Sequence, residues 1–307
     1  MTPWRTRIGF GLIALIVVIG MGTFGWLSIY RPGHELLQVV DGDVVRGAPQ
    51  PWQLNFQAPH SPLDRGLYAF HNFLFLINLA ICALVLALLL FAVWRFRASA
   101  HPTPSKTSHN TALEVTWTIL PVLVLLAIAV PSFRLLAEQN RLVDAEMTLK
   151  VTGHQWFWEY SYPDNGDFQF SALVLQEDKL SPDEKELRLL MTDQLVVLPV
   201  DTTIRIDVTS ADVIHAWAVP ALGLKKDAVP GRLNEMWVRI DKPGLYFGQC
   251  SVLCGQQHSY MPIAIKAVSK DQFAAWAAQA KQKFAQSDDG LKIASATDFG
   301  GSKRPER

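Results

Sequence analysis

Polar and apolar positions divide the chain into two regimes. Three stretches, residues 8–30, 73–94 and 115–133, carry no charged side chain. Each matches the roughly 20 apolar residues that a helix needs to cross a bilayer core. The first follows Arg5 and Arg7, so residues 1–30 read either as a signal peptide or as an uncleaved signal anchor, ahead of an exported N-terminal segment over 31–66. The other two predict a two-helix transmembrane hairpin over 67–136. Residues 95–111 between them hold Arg95, Arg97 and Lys106 with no acid, whereas residues 31–66 hold three Arg and four acidic residues. Short basic loops stay on the cytoplasmic side. The hairpin therefore anchors a C-terminal domain exported across a cell membrane.

Beyond residue 149 the period shortens to two. Ile204, Ile206 and Val208 alternate with Arg205 and Asp207, the signature of a half-buried strand. Similar runs fall at 149–160, 187–192, 195–200, 235–240, 245–249 and 263–268, separated by turn residues such as Pro163, Gly166, Pro243 and Gly244. Many short antiparallel strands over 149–268 predict an all-β sandwich or Greek-key barrel. Ser269 and Gln272 form a capping-box pattern ahead of Phe273, Trp276, Ala277 and Ala280, which predicts a helix over 269–286. The tail at 287–307 is polar and Gly-bearing, and reads as disordered.

Composition agrees with a membrane protein: half of the 307 residues are hydrophobic and only 18% are charged. The 28 Lys and Arg balance 28 Asp and Glu, which argues against a nucleic-acid binder, since that function needs a basic excess. Charge is unevenly spread, however. Residues 151–262 contain 15 acidic and 9 basic side chains, so an acidic exterior could steer a basic redox partner.

Three cysteines are too few for a disulfide framework. Cys82 sits alone in an apolar helix and reads as a small hydrophobe. Cys250 and Cys254 instead lie in GQCSVLCGQQHSYMP beside His258 and Met261, with His215 upstream in DVIHAWAVP. Thiolate, imidazole and thioether form a soft ligand set that selects copper over calcium or magnesium. A mononuclear blue-copper site needs one cysteine; the second allows two thiolates to bridge two copper ions. A plain disulfide, a Cys2His2 zinc site and a thioredoxin-like copper chaperone are the alternatives. Zinc fits poorly with Met and with this spacing, and a chaperone of that kind needs alternating helices and strands.

Together with TGHQWFWEY, SADVIHAWAVPALGLKKDAVPGR, PGLYFGQCSVLCGQQHSYMPI and the membrane segment EVTWTILP, these residues resemble subunit II of the haem-copper cytochrome c oxidases over about 49–279. The resemblance implies a cupredoxin-like domain holding the two copper ions of the CuA centre. Its ligands would be His215, Cys250, Cys254, His258, Met261 and the backbone carbonyl of Val252. The family usually carries Glu between the cysteines, where the side chain helps bind Mg or Mn; Val252 keeps the carbonyl but lacks that carboxylate.

The resemblance further implies that single electrons arrive from cytochrome c at Trp156. They then pass to haem in subunit I, where oxygen reduction is coupled to proton translocation. Asp167, Asp193 and Asp212 fall at cytochrome c docking positions, while two others carry Ser161 and Ser171. Glu114 falls at the mouth of a proton channel into subunit I. The partners implied are subunit I, the other oxidase subunits, cytochrome c and the lipid bilayer. The setting implied is a bacterial inner membrane with the copper domain on the periplasmic side, and the chain alone would not reduce oxygen.

Overall fold

A computed structural model describes residues 38–103 and 105–285. The expectations for residues 1–30 and for the tail at 287–307 lie outside the described residues. The chain divides into two compact units.

The first unit contains helices α1 (Pro62–Arg95) and α2 (Thr111–Gln139). Ser61 caps α1 by accepting the Asp64 N–H at 3.0 Å, with Pro62 in the first turn and the Asp64 carboxylate complementing the helix dipole. The Ser61 hydroxyl also donates to the Leu222 carbonyl at 2.7 Å. Asn110 caps α2 by accepting the Leu113 N–H at 3.2 Å. Both helices run past the uncharged stretches because their capped ends continue into polar sequence. At 1.5 Å per residue they reach about 50 and 43 Å, longer than a hydrocarbon core of about 30 Å. A Cβ on Gly66 would stand 3.2 Å from Leu135 Cδ1, so the start of α1 meets the end of α2 as in an antiparallel hairpin. Leu88, Leu125 and Phe133 are more than half exposed, as side chains that face lipid would be.

The second unit is a two-sheet sandwich. Its strands are β1 (Val39–Val40), β2 (Asp43–Gly47), β3 (Met147–His154), β4 (Phe157–Tyr162), β5 (Phe168–Ala172), β6 (Val196–Pro199), β7 (Ile204–Ser210), β8 (His215–Val219), β9 (Leu224–Ala228), β10 (Asn234–Val238), β11 (Gly244–Cys250) and β12 (Pro262–Val268). One sheet has the order β1-β2-β11-β12-β6, with β8 paired to β11 and β9 to β8; the other runs β10-β7-β3-β4-β5. The sheets share no strand among the described residues, which selects the sandwich over the closed barrel.

Between the sheets lie Trp158, Tyr160, Tyr162, Trp217 and Tyr246, all fully buried. Except for the Trp158 indole N–H, which is buried without a partner, their polar atoms are paired. The Trp217 indole N–H donates to Tyr160 Oη at 3.1 Å, and Tyr162 Oη donates to the Val197 carbonyl at 3.0 Å, so both bonds join one sheet to the other. Helix α3 (Lys270–Ala285) starts on the expected capping box: Ser269 Oγ accepts the Gln272 N–H at 3.3 Å, and Gln272 Oε1 accepts the Ser269 N–H at 3.2 Å. Phe273, Ala277 and Ala280 form its buried face.

Three expectations need correction. The run at 149–160 is two strands, because the chain reverses at Gln155–Trp156 and pairs His154 with Phe157. The run at 187–192 is not a strand: residues Pro182–Leu187 form a 3-10 turn, and only Thr192 bridges, to Val174. The sheets are also mixed rather than antiparallel, since β3 runs parallel to β7 and β12 to β6.

Candidate metal centre

Three paired strands bring the candidate ligands to one end of the sandwich. His215 opens β8, Cys250 closes β11 and Met261 immediately precedes β12. β11 pairs with both neighbours, matching Cys250 with Trp217 and Gln249 with Pro262. The Cys250 N–H donates to the Met261 carbonyl at 3.0 Å, and the Ser251 N–H to the Ala216 carbonyl at 3.1 Å. The loop from Ser251 then returns Cys254 and His258 to the same place. Glycine is required where β8 approaches: a Cβ on Gly248 would lie 1.9 Å from the Ala218 carbonyl oxygen.

The sulfur atoms of Cys250 and Cys254 are 3.8 Å apart and both cysteines are free, so no disulfide joins them. His215 Nδ1 stands 4.0 Å from Cys250 Sγ, and His258 Nδ1 stands 3.5 Å from Cys254 Sγ. Each thiol thus faces its own imidazole. The Val252 carbonyl oxygen lies 3.3 Å from Cys250 Sγ. Cys250, Cys254, His215 and Met261 are buried, while His258 is half-buried. Among the described residues, His215, Cys250 and Cys254 hold their ligand atoms within 4.8 Å of one another.

Hydrogen bonding orients the His215 ring. Its Nε2 is 2.8 Å from Asp212 Oδ1. A carboxylate only accepts, so Nε2 carries a proton toward Asp212 and Nδ1 is the nitrogen that faces the sulfurs. Burial raises both thiols, but at Cys250 the hydrogen bonds from His215 and the backbone of Ala216 and Val252 outweigh it and hold the thiol below its usual range. Cys254 is pushed up, by burial and by the charge on Cys250. Soft cations bind thiolates, so binding at the pair would release the thiol protons. Burial alone lowers His215, yet its bonds to Cys250 and Asp212 raise it overall. Two adjacent sulfurs, two imidazole nitrogens, a buried thioether and a carbonyl suit a pair of soft cations, so the donor set fits copper.

Trp156 sits half-exposed in the turn between β3 and β4, where the chain reverses. Its indole N–H donates to the Cys254 carbonyl at 3.3 Å. Gln155 was not legible as a site residue, yet its side-chain amide donates to that same carbonyl at 2.8 Å and its backbone N–H to Asp212 Oδ2 at 2.6 Å. The only sequence signal is adjacency to Trp156. Asp167 is exposed in the turn before β5, and Asp193 Oδ1 accepts the Leu173 N–H at 2.8 Å. In the first unit, Glu114 Oε1 accepts the Asn110 N–H at 3.1 Å at the start of α2.

Comparison with known proteins places these features in a family. Residues 147–268 match cytochrome c oxidase subunit II, periplasmic domain, and residues 49–135 match its transmembrane domain. The chain is 47% identical to a probable cytochrome c oxidase subunit 2 of Rickettsia bellii over 246 residues, covering 80% of this chain and 90% of that one. It is 42% identical to cytochrome c oxidase subunit 2 of Cereibacter sphaeroides over 253 residues, covering 77% and 83%. The crystal structure of the periplasmic domain of subunit II of cytochrome oxidase from Bradyrhizobium japonicum is 51% identical, with a TM-score of 0.43, over 47% of this chain and 99% of that one. The chain thus belongs to the cytochrome c oxidase subunit II family, membrane-anchored subunits of the haem-copper oxidases whose cupredoxin-like domain binds CuA and transfers electrons.

Proposed function

We propose that this subunit holds two copper ions on His215, Cys250, the Val252 carbonyl, Cys254, His258 and Met261, and takes single electrons from cytochrome c at Trp156. The observation that carries the reading is the pair of free thiols 3.8 Å apart, each facing one imidazole. When bound, the copper pair supplies a one-electron carrier. The chain's own contribution is to keep the ligands in place: β8, β11 and β12 fix His215, Cys250 and Met261 through backbone bonds. Trp156 is exposed on one side and bonded to the Cys254 carbonyl on the other, which provides a short covalent and hydrogen-bonded path from surface to ligand. Asp167 and Asp193 offer exposed carboxylates to a basic donor, whose approach would weaken with salt.

The electrons continue to haem in subunit I. Glu114 stands at the mouth of the proton channel into that subunit, in addition to its hydrogen bond at the start of α2. The hairpin lies in a bacterial inner membrane with the sandwich on the periplasmic side, in keeping with the basic loop at 95–111. Val252 brings no carboxylate to a neighbouring Mg or Mn ion, so such an ion would depend on other groups.

Metal analysis of the purified oxidase tests the centre. Two coppers per copy of this chain are expected beyond the copper held by the haem-bearing subunit, with one unpaired electron spread over both in the oxidised state. Cys250→Ser or Cys254→Ser should abolish the two-copper signal. One copper or none beyond that of the haem-bearing subunit in the unaltered complex would overturn the proposal.

A further inference from the structure

The strand that begins with His215 has little pairing on the side of the cysteines. β8 meets β11 over two register pairs, Trp217 with Cys250 and Ala218 with Gln249. His215 lies beyond both, and its ladder neighbour is Ala228 of β9. Further support comes from the opposite sheet. Trp158 and Tyr160, alternate inward residues of β4, meet His215 and Trp217, alternate inward residues of β8. The Trp158 and His215 ring centroids are 5.8 Å apart with their planes at 63°, an edge-to-face contact. Two residues further along each strand, Tyr160 Oη accepts the Trp217 indole N–H at 3.1 Å.

The sheet makes room for the first of these contacts. Trp158 stands between Gly153 of β3 and Ala172 of β5, the two smallest residue types, as its register partners. A Cβ on Gly153 would lie 3.1 Å from Trp158 Cζ3, on the far ring of the indole, and 2.8 Å from His215 Cδ2. The indole and the imidazole therefore share the space above Gly153, and both are fully buried. Reach is what the indole contributes there. Its N–H is buried without a partner, an unfavourable state that phenylalanine would avoid, but a single ring is shorter.

We infer that Trp158 is a positioning residue for His215 that sets the tilt of the imidazole, while Tyr160 holds the strand that carries it. The two ring nitrogens are already directed, Nε2 at Asp212 Oδ1 and Nδ1 at Cys250 Sγ. Those contacts leave the ring free to rock about the line joining its nitrogens. Contact with the indole removes that freedom, and groups that orient a ligand in this way tune the metal it binds. The role rests on the copper reading above and adds no ligand to it.

The test uses the assembled oxidase carrying Trp158→Phe, Tyr160→Phe or Tyr162→Phe. Three properties are read: the nitrogen couplings of the two copper-bound histidines by electron–nuclear double resonance, the rate of copper loss to a copper(I)-selective chelator, and the thermal midpoint. Trp158→Phe should shift one nitrogen coupling, leave the other unchanged and speed copper loss about 10-fold. Tyr160→Phe removes the acceptor of the Trp217 N–H and should shift the same coupling by less. Tyr162→Phe is the control for packing. It removes a buried hydrogen bond from the same strand, to the Val197 carbonyl, and should lower the midpoint with both couplings unchanged. Wild-type couplings and copper loss in Trp158→Phe overturn the role, as does an equal shift of both couplings or a shift that Tyr162→Phe reproduces. Should Trp158→Phe fail to assemble, unchanged couplings in Tyr160→Phe overturn it equally. A wild-type complex without two coppers beyond that of the haem-bearing subunit would instead overturn the copper reading beneath it.

Discussion

Gly153 shows how the centre depends on space as well as on ligands. A Cβ there would stand 2.8 Å from His215 Cδ2 and 3.1 Å from Trp158 Cζ3, and both rings are fully buried. Neither ring has room to retreat, so Gly153→Ala forces the imidazole off its position between Asp212 and Cys250. Overpacking of this kind costs about 1–3 kcal/mol, and reduced copper content together with a lower unfolding midpoint of the purified complex should report it. Normal copper content and midpoint would show that the ring can move freely. Val252 tests the opposite case, a missing group: Val252→Glu should raise Mg or Mn retention with little change in the copper spectrum, because the ligand proposed at that position is a backbone carbonyl. No gain in retention would refute that expectation. The candidate ligand residues were legible because soft ligands are rare and were clustered within twelve positions, apart from His215. Gly153 and Gln155 were not, since one contributes an absence of atoms and the other contributes bonds to residues 57 and 99 positions away.

At the scale of elements, Glu146 ties three of them together just before β3. Its Oε1 accepts the Thr203 N–H at 2.9 Å ahead of β7, and its N–H donates to the Thr203 carbonyl at 2.8 Å. Its other oxygen meets Lys270 Nζ at 3.0 Å in the first turn of α3. The Thr203 bond first, and Lys270 second, hold the carboxyl below its usual range. A group depressed in the folded state binds its proton more readily when unfolded. Its contribution to stability is therefore present above the unfolded value and disappears as pH falls through the folded one. Glu146→Gln should lower the thermal midpoint at neutral pH, and the gap from wild type should close below an ordinary carboxylate value of about 4. A gap that persists at acid pH would assign the effect to shape and not to charge. Strands β7, β11 and β12 were readable because their turns and runs are short and local. β8 was not: all five of its residues are buried, so no polar partner alternates with the apolar ones. The parallel pairing of β3 with β7 was equally hidden, since register across 57 positions leaves no local period.

The whole chain balances 28 basic against 28 acidic side chains, but it does so by segregation. Residues 95–111 carry three cations and no acid, while residues 151–262 carry six more acids than bases (15 against 9). The hairpin was legible from this contrast because a bilayer imposes two global constraints on sequence, the length of uncharged stretch and the side of positive loops. A membrane potential and anionic lipid both favour keeping Arg95, Arg97 and Lys106 inside, whereas the acidic sandwich gains nothing from that side. Lys106 is exposed in the loop, and Lys179 and Lys185 are exposed on the sandwich, so one reagent can report both sides. A membrane-impermeant amine label applied to intact spheroplasts should modify Lys179 and Lys185 but reach Lys106 only after lysis. Labelling of Lys106 before lysis, with protection of the other two, would invert the orientation and place the metal-binding end where no periplasmic donor could reach Trp156.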